Sequence, residues 1–352
     1  MSTLWIGKGA QITALERNAA GLTGGDVSTA CAGGMVRPSG RAKPVLLAPA
    51  GNREALETAI HAGADAVYVG LKGWSRGGAR GELTSRELYE CLQLAHQAGR
   101  QVQLAANIVP KPQERPALLH ELAALAERGL DAVIVNDIGF LRDVRRHLPR
   151  LPITASIGCG ALNIADAAFY EHLGATAVVL PGNLDPEDIA AIRARVSIRL
   201  ELMLHMVEEF IQLGKCWMPS YHNFHAASAE TAGGRLTGSV KRGGVGSCFK
   251  ICQQPWELFC GGNKLDTRLL PSRQLSKVTQ VTAFLDAGAD IIKLQGRSLP
   301  PAQLSALVIS YRSAMDGWRD GGEQSASGTP ERDPLPQAGT AELPRMWTVK
   351  GR

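Results

Sequence analysis

One phrase recurs four times in this chain: HAGADAVYVG at 61–70, ERGLDAVIVND at 127–137, HLGATAVVLPG at 172–182 and DAGADIIKLQG at 286–296. Each copy joins a helix end, closed by glycine, to a mostly apolar strand. A unit repeated in this way sets the architecture of the whole chain. Between the copies lie RQVQLAANIV (100–109), LPITASIG (151–158) and IRLELMLHMV (198–207), and the series opens with VLLAPAG at 45–51. That makes eight strands, most of them followed by helical periodicity. Eight βα units with buried strands predict an α/β protein, a (βα)8 TIM-like barrel, rather than an open doubly wound sheet. The open sheet would call for a GxGxxG turn after its first strand, and none is present.

The chain is long enough for one such barrel. Of its 352 residues 45% are hydrophobic and only 5% aromatic, with abundant Ala and Gly, which suits close packing of helices on strands. Residues 1–43 lack a periodic apolar pattern and read as a flexible N-terminal extension, with Met35 as an alternative start. Residues 44–318 are the barrel. The Pro/Gly/Ser-rich run from DGGEQSASGTPERDPLPQ onward makes 319–352 a disordered tail. No window reaches the ~18 uninterrupted apolar residues of a spanning helix, and no secretory leader is visible, so the expectation is a cytoplasmic protein without a membrane span. A net charge of +5, with basic residues scattered except near Arg37–Lys43 and Arg235–Arg242, lacks the dense stripe of a dedicated nucleic-acid binder. A small-molecule substrate is therefore expected. RNA is unsupported, not excluded.

Four of the seven cysteines fall within one irregular segment: GKC at Cys216, GVGSCFKIC at Cys248 and Cys252, and LFCGG at Cys260. Gathering thiolates is unfavourable unless a cation neutralises them or disulfides join them, and a reducing compartment favours the cation. The spacing is uneven, where zinc sites show tight pairs. It leans towards an iron-sulfur cluster while leaving zinc, or ordinary buried cysteines, open. The segment belongs to an insertion, 208–270, after strand seven. At roughly sixty residues it far exceeds the ~12–15 of an ordinary connector and would stand over the barrel mouth.

Strand alternation predicts that Glu201, Met203 and His205 share one face of strand seven, where Glu201 and His205 could move protons as the catalytic pair. The alternative is a buried pair bracing the barrel. On strand eight the same rule groups Lys293, Gln295 and Arg297, a cationic end suited to an anionic substrate, unless Arg297 merely caps carbonyls. Asn107, Asn136, Asp137 and Ser156 stand at strand ends and describe a polar mouth. Asn107 and Asp137 join Asn52, Lys293 and Arg297 as substrate-binding candidates, although Asn52 is equally placed to cap a helix. Cys91 lies on an apolar helical stripe and reads as core, while Cys159, just after strand five, is a reserve ligand. No GxSxG, HExxH or papain-like cysteine motif occurs.

The stretches PAGNREALETAIHAGADAVYVGLKGWSRGGA, ELMLH, GKC, CFKIC, IIKLQGR and YRSAMDGW together resemble peptidase family U32, the collagenase-like peptidases, from about Pro44 to Trp318. Despite the family's name, the resemblance implies an oxygen-independent hydroxylase with a 4Fe-4S cluster on Cys216, Cys248, Cys252 and Cys260. Some members serve anaerobic ubiquinone biosynthesis as paired barrels, and others hydroxylate RNA bases, with prephenate implicated as oxygen donor. The single-barrel length and LFCGGNKLD resemble the ubiquinone-biosynthesis branch. The expectation is therefore a quinone-pathway or related small-molecule hydroxylase, with a second U32 barrel as heterodimer partner. RNA-base hydroxylation, a non-catalytic cluster-bearing subunit and peptidase activity are the alternatives. The chain departs from the family pattern twice: MVEEF stands where a first cysteine is common, with Cys252 taking its place, and KLQGR replaces KIEGR, putting Gln295 at a carboxylate position.

Overall fold

The computed structural model describes residues 43–75, 82–207, 274–297 and 299–320, with the backbone of four short strands between 229 and 267. Eight parallel strands form the barrel: β1 (Val45–Pro49), β2 (Ala66–Gly70), β3 (Gln101–Ala106), β4 (Ala132–Val135), β5 (Ile153–Ala155), β6 (Ala177–Pro181), β7 (Arg199–Val207) and β13 (Ile291–Leu294). Neighbours pair in sequence order from β1 to β7. The ring closes through β7–β13 and β13–β1, so no barrel strand is left with an open edge.

Helices cross between the strands: α1 (Arg53–His61), α2 (Ser85–Gln97), α3 (Arg115–Glu127), α4 (Ile138–His147), α5 (Ile164–His172), α6 (Pro186–Arg193), α7 (Val281–Asp286) and α8 (Pro301–Asp320). Their apolar stripes pack on the outward strand residues to form the main core, in which Phe140, Phe284 and Tyr311 are the bulkiest of the fully buried side chains. The lumen is filled separately, by Leu47, Ala66, Tyr68, Ile134, Ala177 and Ile291 in one cluster and by Val179, Met203 and Met206 in another. None of the described helices is long and apolar enough to cross a membrane.

The recurring phrase now has a physical meaning. Its glycines, Gly63, Gly129, Gly174 and Gly288, all take φ between +88° and +114°, the left-handed turn that ends a helix. The residue two positions on then ties its strand to the neighbouring strand twice over. The Asp65 amide donates to the Leu46 carbonyl while its carboxylate accepts from the Leu46 amide, and Asp131 does the same with Val102, and Asp290 with Leu200. In the third copy Thr176 donates both its amide and its hydroxyl to the Ile153 carbonyl. These ties line the N-terminal rim, the end of a barrel that serves stability.

Local capping starts the helices. At α2, Thr84 Oγ1 accepts from the Glu87 amide, and the Glu87 carboxylate accepts from the Thr84 amide, a reciprocal box that also holds the Glu87 carboxyl below its ordinary range. Replacing Thr84 by Ala is expected to cost about 1 kcal/mol, read as a lower urea midpoint with unchanged slope.

In the insertion region, β8 (Ala229–Thr231) pairs with β9 (Gly234–Leu236), and β10 (Glu257–Cys260) with β11 (Asn263–Thr267), both antiparallel. Sequence periodicity predicts a helix from about Pro271. Instead, β12 (Gln274–Ser276) lies antiparallel on the end of β7, and α7 begins only at Val281. The expectations for 1–42 and for 321–352 lie outside the described residues.

Candidate active site at the barrel mouth

The lumen of this barrel is not wholly apolar. Gln103, Asn136, Thr154, Ser156, Glu201 and Lys293 are all buried, and each alternates with strand residues that belong to the outer core, which turns it inward. Burying a charge demands a partner. Glu201, 0% exposed on β7, receives the Lys293 ammonium from β13, with Nζ 2.6 Å from Oε1. Lys293 also lies 4.7 Å from the centre of the Tyr68 ring, a cation on an aromatic face.

Tyr68 reaches past β1 and donates its hydroxyl to the Leu294 carbonyl at 2.9 Å. Burial pushes its phenol up to about 12, while the nearby Arg297 charge pulls the other way. The Arg297 guanidinium stands 5.8 Å from the same ring, and its Nη1 donates to Ser75 Oγ at 2.9 Å. Glu201 of strand seven and the Lys293 and Arg297 group of strand eight thus come together around one aromatic ring.

His205 does not join them. The register between β13 and β7 slips after Met203, so that Lys293 pairs with Met203 but Leu294 pairs with His205. The slip is a bulge, and it reverses the alternation that places His205 beside Glu201. Met206 rather than His205 packs with Met203 and Val179 in the lumen, and the His205 ring faces Tyr311 of α8 edge-on, with centroids 6.2 Å apart. The shared face read from even spacing is therefore corrected: Glu201 and Met203 point in, His205 points out.

Two further candidates sit at helix starts. Asn52 caps α1, its Oδ1 accepting from the Ala55 amide at 2.8 Å, and Asp137 caps α4, accepting from the Phe140 amide at 2.7 Å. Asn107 follows the last residue of β3, half-buried at the mouth. Cys216, Cys248 and Cys252 lie outside the described residues, and of Cys260 only the backbone is described, opposite Asn263 in the β10–β11 hairpin. Cys159, the reserve ligand, is turned into the outer core, with its thiol donating to the Val135 carbonyl. Burial pushes the Cys91 thiol up to about 11, as befits a core residue.

Sequence reasoning passes over Tyr68 and Gln103, although both are large polar side chains spaced evenly within buried strands. Three lumen acceptors, Glu201 Oε2, Gln103 Oε1 and Asn136 Oδ1, have no hydrogen-bond partner among the described residues. Buried acceptors of this kind are normally met by water or a ligand. Asn136 is also overlain by Gly158, where an added Cβ would come within 1.7 Å of Oδ1, so only glycine leaves that side chain its place.

Comparison with known proteins gives the chain its relatives. The model of peptidase family U32 matches residues 51–343. The tRNA hydroxylation protein P of Escherichia coli (strain K12) is 32% identical over 308 residues, covering 78% of this chain and 68% of its own length. The tRNA hydroxylation protein P1 of Bacillus subtilis (strain 168) is 25% identical over 285 residues, 78% of this chain and 64% of the relative. A 23S rRNA 5-hydroxycytidine synthase of Escherichia coli (strain K12) is 25% identical over 276 residues, and there the match spans only 39% of the relative's length.

Proposed function

Because the chain belongs to peptidase family U32, we propose that it is an oxygen-independent RNA-base hydroxylase whose chemistry takes place at the C-terminal mouth of its barrel. The observation that carries this reading is the similarity, along 78% of the chain, to a protein named for tRNA hydroxylation. Relatives named for RNA hydroxylation favour it over the quinone-pathway substrate, which rests on length and on LFCGGNKLD. The net charge of +5 is no obstacle, since a few cations at the mouth can meet the phosphates flanking one base.

In this reading the lumen pair supplies the acid and the base. The Lys293 ammonium donates to Glu201 Oε1 at 2.6 Å, and Glu201 Oε2 has no partner among the described residues, which places the carboxylate to act as base and the ammonium as acid. Tyr68 holds both cations in place, and Arg297 faces the incoming substrate.

The soft donors fit the family's cluster. With Cys91 and Cys159 committed to the outer core, the thiolates left are Cys31 and the four of the 216–260 segment. Cys216, Cys248, Cys252 and Cys260 would hold the 4Fe-4S cluster, which supplies one-electron chemistry when bound.

Two measurements test these roles. Anaerobically purified protein is expected to carry iron and acid-labile sulfide, and Cys252→Ser and Cys260→Ser are each expected to lose most of both. Stoichiometric zinc without sulfide would overturn the cluster. In cells lacking the protein, mass spectrometry of digested RNA is expected to show one hydroxylated pyrimidine missing, restored by the wild type and not by Glu201→Gln. An unchanged nucleoside profile beside an intact cluster rejects RNA as the substrate.

A further inference from the structure

We propose that the outer face of α4, with the groove between it and α3, is an RNA-binding strip that leads a strand away from the barrel mouth. The first observation is a charge pattern. Residues 141–150 read LRDVRRHLPR, and Arg142, Arg146 and Arg150 are all exposed, without an ion pair among the described residues. Arg142 and Arg146 are four apart, so they stand about 6 Å from one another along the helix and repel. A basic residue in the last turn is ordinary, because it faces the negative end of the helix, and that accounts for Arg146. It accounts neither for Arg142 in mid-helix nor for Arg150 beyond the C-terminus. Arg145 is committed elsewhere, its fork donating to the Gly174 and Pro149 carbonyls. The acids of the three neighbouring helices leave the strip positive. Asp143 is paired with Arg115, while Glu121 is turned to Ser85 of α2, Asp166 to the Leu162 amide and Glu171 to the Ser197 amide. Glu127, exposed at the end of α3, is the remaining one, and against the three arginines it gives a formal +2 (three cations less one anion).

The second observation is shape. Beside this ridge, α3 and α4 leave a groove of about 500 Å³ lined by Pro112, Arg115, Pro116, Leu119, Asp143 and His147. Its own ions are matched, Arg115 against Asp143, and Arg115 also donates to the Gly139 carbonyl at 3.1 Å. What the groove offers a ligand is therefore mainly apolar wall. Prolines and a leucine suit the flat faces of bases and riboses, and guanidinium groups one turn apart suit successive phosphates, the combination that single-stranded nucleic acid requires. The ridge begins at Ile138, 44% exposed and just after β4, so it starts at the mouth and runs towards the opposite rim. That course favours RNA over an acidic protein, because a base inserted at the mouth lays its flanking phosphates along this line. The strip deepens the RNA reading given above and rests on it for its partner.

The experiment measures binding of bulk tRNA to the intact, anaerobically purified protein across a salt series. The triple variant Arg142→Gln, Arg146→Gln, Arg150→Gln is expected to bind at least tenfold more weakly at low salt, with a salt slope lower by about two to three and its melting temperature kept. Pro116→Glu, which sets an anion in the groove at a helix start that favours one, is expected to weaken binding severalfold without loss of stability. Arg86→Gln, which removes an exposed arginine of α2, should change neither binding nor slope. Equal affinity and slope for the wild type and the triple variant overturn the strip and leave the RNA reading standing, and unchanged binding by Pro116→Glu overturns the groove's part in it. Weaker binding by the triple variant beside an unchanged nucleoside profile in cells lacking the protein supports the strip and rejects RNA as the substrate. A wild type that binds no tRNA at low salt overturns both. If the triple variant loses retention of polyglutamate but keeps that of tRNA, the partner is an acidic protein and the RNA strip is overturned.

Discussion

Replacing Lys293 by Met is expected to destabilise the protein by about 3–5 kcal/mol, because it strands the Glu201 carboxylate at a position with 0% exposure. The substitution removes the 2.6 Å bond from Nζ to Oε1, and the only other cation described at the Tyr68 ring, that of Arg297, lies on its Ser75 side. The pair itself need not be stabilising. Desolvating two charges is costly, and an isosteric neutral pair can be as stable or more so. The double variant Glu201→Gln, Lys293→Met is accordingly expected to recover most of the loss, a coupling that urea unfolding of the four proteins measures. Activity should stay absent in the double variant. Stability returning without function would mark the pair as retained for chemistry. A loss below about 1 kcal/mol in Lys293→Met would mean that water reaches Glu201, and the closed lumen would have to be abandoned.

The second large effect is expected at the opposite end of the barrel. Asp65 accepts from the Leu46 amide at 3.0 Å and from Arg312 Nη1 at 2.9 Å, with Arg100 and Lys43 at 3.4 and 3.5 Å. Asp65→Ala removes the acceptor of a buried amide and the partner of a cation on α8, and should cost about 3 kcal/mol. Asp65→Asn keeps an acceptor for Leu46 but loses the charge, so about half that loss is expected. Thr176→Ala, which removes a neutral hydroxyl from the third copy of the same motif, should cost about 1 kcal/mol. Reaction rate per folded molecule should be unchanged in all three, since this rim lies away from the mouth. Equal losses for Asp65→Ala and Thr176→Ala would show that the carboxylate adds nothing to the backbone tie.

These two sites also mark how far the sequence carries. The four glycine-to-strand phrases are visible as a repeat and deliver every second barrel strand, and the apolar runs before and between them deliver the other four, because local period and turn chemistry report local structure. What their aspartates do is invisible there, since each one grips a strand far back in the chain, Asp290 reaching Leu200. Even spacing correctly groups Lys293 with Arg297 and fails for His205, because a bulge is a property of two paired strands and leaves no mark in either. Tyr68 escapes notice for a similar reason: its partners lie on β13 and just beyond, joined to it only when the ring closes. The start of α7 is misplaced because Gln274–Ser276 form β12, whose pairing depends on β7.

The joint between β7 and β12 has a consequence for how such proteins diversify. Val207, where the chain leaves the described barrel, stands opposite Gln274, where it returns, and Tyr311 fastens the join by donating to the Leu204 carbonyl and accepting from the Lys277 amide. Whatever lies between is plugged in through one doorway whose two posts are already bolted together. Since the entropy of closing a loop grows only slowly with its length, a different cassette can be exchanged there without asking the staves of the barrel to move.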